Sequence, residues 1–231
     1  MIHYLYYATL RLANQIINTL KNKSHPYHYS TEKTFIHRII DLGVPVFLFF
    51  LYFQFYNFGK ITPSEMIKTT GLLAIALLSL TLLIGPLCRF FPSLDILKAH
   101  RQFWGIASFI AALVHFGLIM IYDLHLDFLK LLDTSDPDFL GHWAGIGAFL
   151  ILTAVVLTSI PKLLHSMDPK IWKFIQTTSY LALILAVVHF YLIESTNGVL
   201  VIKRLLGQIT FAFAGLVVLI RILVALLPSR T

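Results

Sequence analysis

Six apolar stretches run along this 231-residue chain, and nothing else in the sequence limits its fold so severely. They cover Ile39–Phe58, Thr70–Leu87, Phe103–Tyr122, Trp143–Ile160, Phe174–Ile193 and Ile209–Leu227. A hydrocarbon core of about 30 Å is crossed by roughly 20 helical residues rising 1.5 Å each, so every stretch is long enough to span it. Inside lipid a segment must satisfy its own backbone hydrogen bonds, which makes each one a helix. The chain is 58% apolar and only 13% charged, about half the charge of an ordinary soluble domain. That excludes a water-soluble globule and an intrinsically disordered chain. One cysteine excludes a disulfide framework and any multi-cysteine zinc or iron–sulfur site. The expected fold is all-α, an integral membrane six-helix bundle.

Pro63, Pro86, Pro92, Pro137, Pro161, Pro169 and Pro228 fall near segment ends, where helices stop, whereas Pro45 lies inside the first span and is expected to kink it. Ile2–Leu20 lacks the layout of a secretory signal and mixes aromatic and aliphatic residues with Arg11, Asn14 and Gln15. It reads as a helix lying on the membrane surface. The expected organisation is an interfacial or cytoplasmic segment over 1–34, then one transmembrane domain over 35–231. No internal repeat, low-complexity tract or appended nucleotide-binding module is expected.

The formal charge of +7 does not point to nucleic acid, because the basic residues lie between the apolar blocks. Arg11, Lys21, Lys23, Lys33, Arg38, Arg89, Lys98, Arg101, Lys162, Lys170, Lys173, Arg221 and Arg230 fall on one side, thirteen in all. Lys60, Lys68, Lys130, Lys203 and Arg204 make five on the other. The richer side is cytoplasmic by the positive-inside rule, which places both termini in the cytosol of a cell inner (plasma) membrane protein. The acidic third loop, with Asp123, Asp127, Asp133, Asp136 and Asp138, then faces outward.

An ionisable residue inside a membrane helix is costly and marks a candidate site. His115 in the third span and His189 in the fifth qualify, and their depths agree within about 5 Å at 1.5 Å per residue. Two neutral imidazoles at one level on different helices suit the two axial positions of a haem iron. Ala111, Ala112, Ala182 and Ala186 would leave room for a flat macrocycle. The alternative is two unrelated histidines hydrogen-bonding across helices.

Thr70-Gly71, then Gly85-Pro86-Leu87 and Arg89, then Arg101, Gly105 and His115 as Arg-x₃-Gly-x₉-His, then Thr158-Ser159, and finally Trp172, Tyr180 and His189 form a spaced set. On these residues the chain resembles the ferric-reductase-like transmembrane superfamily, and within it the MsrQ (YedZ) haem-binding membrane subunits, over about residues 64–225. The resemblance implies a haem b held by His115 and His189. It further implies that electrons pass from quinol or reduced flavin (FMN) to a periplasmic, MsrP-like reductase that repairs oxidised methionine. Relatives with two haems carry further histidines in these helices. Here those positions are Gln176 and Arg101, both poor haem ligands, so one haem is expected. His100 and Arg101 are then assigned to lipid headgroups or to a quinone or flavin site. His142, at the start of the fourth span, is read as an exposed interfacial histidine or, alternatively, as a partner for a haem propionate.

Trp104, Trp143 and Trp172 sit near span ends as an aromatic belt, and Arg221 is expected to snorkel toward headgroups. His3, His25, His28, His37, His125 and His165 lie outside the spans and read as solvated. Cys88 has no visible redox partner.

The resulting expectation is an electron-transfer subunit rather than a self-sufficient enzyme. Its partners would be a periplasmic reductase, a quinol or flavin donor and membrane lipid, with no nucleic acid. A stand-alone transmembrane ferric or cupric reductase is the second reading, and a cofactor-free transporter or scaffold the third.

Overall fold

Pro63, Pro161 and Pro169 open three of the described α-helices. In the computed structural model, residues 35–196 and 199–227 are described. Helix α1 covers Phe35–Leu51 and runs on through a π turn, Tyr52–Tyr56. Helix α2, Pro63–Phe90, starts with Thr62 capping the Glu65 amide and with Pro63 in its first turn. A missing N–H costs nothing there, because the first amides of a helix have no partner within it. A 3-10 segment, Pro92–His100, leads into α3, Arg101–Leu118, which continues through a π turn, Ile119–Asp123. After a 3-10 turn at Phe128–Leu132 come α4 (Phe139–Leu157), α5 (Pro161–Ser166), α6 (Pro169–Thr177) and α7 (Ser179–Ile193). A two-stranded hairpin, β1 (Ser195–Thr196) and β2 (Val199–Leu200), precedes the last helix, α8 (Leu205–Leu226).

Six stretches are long and apolar enough to cross a membrane: Phe35–Tyr56, Pro63–Phe90, Pro92–Asp123, Phe139–Leu157, Pro169–Ile193 and Leu205–Leu226. They match the six expected spans, with the second extended seven residues earlier by its Thr62–Pro63 start and the third eleven residues earlier by the 3-10 segment Pro92–His100. This is a multi-pass, all-α membrane protein. The surface helix expected at Ile2–Leu20, the segment 1–34 as a whole, and His3, His25, His28, Pro228 and Arg230 lie outside the described residues. The features below belong to the compact unit Ile39–Thr231.

Helix α2 is the axis of the bundle. Its membrane window is 72% buried, against 17–22% for the other five, and it contributes to all three buried apolar clusters. Lipid tails are as apolar as leucine, so close packing and satisfied polar groups must hold such helices together. Ser108 of α3 accordingly donates to the Ala74 carbonyl of α2 at 2.8 Å. Thr70 and Thr81 bond back to their own helix.

Two expectations need correction here. Pro86 does not end α2 but sits inside it, four residues before its close. Proline cannot donate to the carbonyl one turn back, that of Leu82; the Tyr180 hydroxyl of α7 donates to it instead, at 2.8 Å. The chain also has an internal repeat. Residues 110–119 and 184–193 agree at seven of ten positions, Ile110/Ile184, Ala112/Ala186, Val114/Val188, His115/His189, Phe116/Phe190, Leu118/Leu192 and Ile119/Ile193. The two stretches end α3 and α7. The two most extensive helix pairings are α2 with α3 and α4 with α7.

Candidate functional site

The repeat brings its two histidines side by side in space. The ring centroids of His115 and His189 are 6.0 Å apart and their planes cross at 80°. Each ring is fixed by the same device. His115 Nδ1 is 2.8 Å from the Ile67 carbonyl of α2, and His189 Nδ1 is 2.8 Å from the Gly141 carbonyl of α4. Four residues on from each carbonyl stands a glycine against the same imidazole. A Cβ at Gly71 would lie 2.9 Å from His115 Cε1, and one at Gly145 would lie 2.9 Å from His189 Nδ1. Real Cβ atoms do not come that close, so a side chain at either position would have to push the imidazole aside.

With Nδ1 donating to a carbonyl, the remaining nitrogen, Nε2, carries the lone pair, and a second-shell bond of this kind orients a metal-ligating imidazole. Among the described residues Nε2 of either ring has no hydrogen bond. Metal–imidazole bonds run about 2.0–2.1 Å, and a ring centroid lies about 1.1 Å inside its nitrogen, so two rings flanking one metal have centroids about 6.2–6.4 Å apart. The observed 6.0 Å is a few tenths of an ångström shorter. Ring planes at a steep angle are compatible with it, since each ring is free to turn about its metal–nitrogen axis.

Both histidines line a cavity of about 290 Å³, at the lower edge of the range for ligand pockets. Its walls carry small residues, among them Gly71, Ala74, Ala112, Gly145, Ala182 and Ala186. Ala111, expected with them, instead packs in the core with Leu72 and Tyr52. The cavity lining also includes Lys68, His142, Asp123, Asp138 and Glu194. His142 Nδ1 is buried with no hydrogen-bond partner; its nearest charged neighbour, Asp136 Oδ2, is 3.8 Å away. Beside the cavity, Arg204 bonds both oxygens of Glu65 at 2.7 and 2.8 Å and also the Tyr56 carbonyl, while Asn57 bonds Thr69 and the Glu65 carbonyl. The bond to Glu65 raises the Arg204 pKa above its ordinary value. Nothing in the sequence pattern marked this clamp between α1, α2 and the start of α8.

The other expected site residues lie elsewhere. His100 is buried, with Nδ1 2.7 Å from Asp41 Oδ1 and its ring stacked on Trp104 at 5.4 Å. Trp104 is thus a core residue and not part of an aromatic belt. Gln176 donates to the Val155 carbonyl and to the Thr158 and Ser159 hydroxyls, at 3.1–3.3 Å. The fifth span breaks at Thr178, between α6 and α7. Arg101 lies beside Gly85 and Tyr180, and Arg221 covers the Tyr180 ring at 4.9 Å rather than reaching outward. None of His100, Arg101 or Gln176 lines the histidine cavity. Among the described residues no group of three or more His, Cys, Asp or Glu is placed to hold a metal ion.

The family model described as ferric reductase like transmembrane component matches residues 70–187. That interval contains His115, Gly71 and Gly145 and stops two residues before His189. No curated protein matches the chain.

Proposed function

The chain belongs to the family of ferric reductase like transmembrane components, and from that premise we propose that it is a haem b-containing electron-transfer subunit in which His115 and His189 are the axial ligands. The observation that carries this reading is the pair of carbonyl-anchored imidazoles, 6.0 Å apart on separate helices and within one cavity. A haem held by these two residues would supply one-electron oxidation and reduction. The rest of the task belongs to the chain. Ile67 and Gly141 hold the ring orientation through their carbonyls, and Gly71 and Gly145 allow the imidazoles to approach. The buried Nδ1 of His142, together with Lys68, provides donors for a carboxylate substituent of the cofactor. The apolar walls keep water from the iron.

The thirteen-to-five bias in Lys and Arg supports cytosolic termini in an inner or plasma membrane, with the histidine cavity toward the outer face. Electrons then enter from quinol or reduced flavin and leave to a periplasmic reductase of the kind that repairs methionine sulfoxide. From Arg101 to His115 the helix rises about 20 Å, so a donor held at the cytosolic surface is distant from the pair. A quinol dissolved in the membrane reaches it more easily.

A second reading makes the protein a ferric or cupric reductase in its own right. It is favoured by Asp123, Asp138 and Glu194 at the cavity, which would attract cations. Adding a ferric chelate to the reduced purified protein separates the two: rapid reoxidation without a partner supports the reductase.

The main test is a dithionite-reduced minus oxidised absorption spectrum with haem quantified per chain. The expected result is about one haem b in the wild type, lost or strongly perturbed in both His115→Ala and His189→Ala. A colourless wild type, or pigment that survives both substitutions, removes the proposal.

A further inference from the structure

At the end of the bundle remote from the histidines, two guanidiniums share one tyrosine and have no anion. A methyl group at Gly85 would lie 3.8 Å from both Arg101 Nη1 and Tyr180 Oη. On the same tyrosine, the Arg221 guanidinium sits 4.9 Å from the ring centroid. Among the described residues neither arginine makes an ion pair or a hydrogen bond, and Arg101 Nε is buried without a partner. Charges inside a membrane protein ordinarily pair with one another or with carbonyls.

Among the described residues, the helices around them carry no carboxylate. Residues 66–90 of α2 contain no Asp or Glu, and neither does any residue of α3, α7 or α8. Asp95, six residues before Arg101, is engaged with Lys98 at 2.8 Å, Asp41 with His100 at 2.7 Å, and Asp168 with the Lys170 amide at 2.7 Å. Tyr180 cannot donate to an incoming group, because its hydroxyl hydrogen is committed to the Leu82 carbonyl. The neutralising group must therefore be an anion from outside these helices, and it must be an acceptor.

We propose that Arg101 and Arg221 form a binding site for a phosphate anion, supplied by the headgroup of an anionic phospholipid. Arg221 stands five residues before the end of α8 and Arg101 is the first residue of α3. Arg221 is thus within about 8 Å of the end of α8, and Arg101 stands where the 3-10 segment Pro92–His100 passes into α3; anionic headgroups attract Lys and Arg placed near the membrane surface. A guanidinium presents paired N–H donors that match phosphate oxygens. A quinone, being neutral, would leave both charges uncompensated. The site is independent of the haem assignment.

Titrating the purified full-length protein with phosphatidylglycerol, phosphatidylcholine or inorganic phosphate, and following its thermal unfolding, tests this. Phosphatidylglycerol should raise the unfolding temperature at lower concentration than phosphatidylcholine. Its apparent affinity should fall about fivefold in Arg101→Gln or Arg221→Gln and about thirtyfold in the double variant, at roughly 1 kcal/mol for each arginine. Equal stabilisation by inorganic phosphate would support the phosphate site and assign it to a soluble ligand instead. Wild-type affinity for phosphatidylglycerol in the single variants overturns the proposal, and so does an absence of preference over phosphatidylcholine in the wild type. The single variants decide the matter if the double variant does not fold.

Discussion

The α2–α3 and α4–α7 hairpins are alike where they hold a histidine and unlike at their other ends. At the histidine ends the ring, the carbonyl it bonds and the glycine it rests on recur with identical spacing, His115 with Ile67 and Gly71, His189 with Gly141 and Gly145. At the opposite ends, Gln176, in α6 just ahead of α7, is neutral and its amide nitrogen is bonded to α4 and the residues that follow it. In the α2–α3 hairpin, Arg101 is cationic with a buried nitrogen unpaired. Surroundings differ as well, since the window of α2 is 72% buried and that of α4 is 22% buried. The device that holds each imidazole therefore does not depend on where its hairpin sits in the bundle. It needs only one neighbouring helix with a bare carbonyl edge and no Cβ.

That equivalence can be broken most directly at the glycines. Gly71→Ala and Gly145→Ala each add a methyl 2.9 Å from an imidazole atom, an overpacking that costs about 1–3 kcal/mol. Haem affinity should fall by about ten- to a hundredfold in both variants, read by titration of the apoprotein with haemin. A silent Gly145→Ala beside a damaging Gly71→Ala would mean that the hairpins do not share the load.

Next in size is Tyr180→Phe. It leaves the Leu82 carbonyl without the donor that Pro86 cannot provide, and thermal unfolding should show a loss of about 2 kcal/mol. Glu65→Gln should cost about 1 kcal/mol, because it weakens a charge-assisted pair that is partly exposed, with side chains 17% and 30% accessible. Its spectral effect should fall on His115, since Glu65 precedes Ile67 on the same first turns of α2. Gln176→Leu should cost least, about 0.5 kcal/mol. The Val155 carbonyl keeps bonds from the Thr158 and Ser159 hydroxyls. A Gln176→Leu loss larger than that of Tyr180→Phe would reverse the contrast drawn between the two ends.

The spans were legible because lipid imposes one rule on every residue of a segment, so length and apolarity sufficed for α2 or α8. The histidines were legible because an imidazole at that depth is costly and therefore rare. Their shared decapeptide was readable too, as Ile-x-Ala-x-Val-His-Phe-x-Leu-Ile, but only when residues 110–119 are set against 184–193. What could not be read were the contacts between distant segments. No local pattern announces that Asp41 will meet His100, or that Arg204 will grip Glu65. Motif residues were visible while their duties were not: Gly71 makes room for a ring, and Arg89 bonds the Val224 carbonyl near the end of α8. Proline at 86 reads as a helix end until Tyr180, ninety-four residues away, is brought alongside.

That tyrosine links the hairpins. Sliding α7 along α2 by a single residue, about 1.5 Å, would part Oη from the Leu82 oxygen and strand a carbonyl in hydrocarbon, where no water can replace the lost donor. The two halves are thereby pegged in register at one end. Nine residues along α7, about 13 Å away, the same peg sets how far His189 can travel relative to His115, so the width of the gap between the rings is governed from the far side of the membrane.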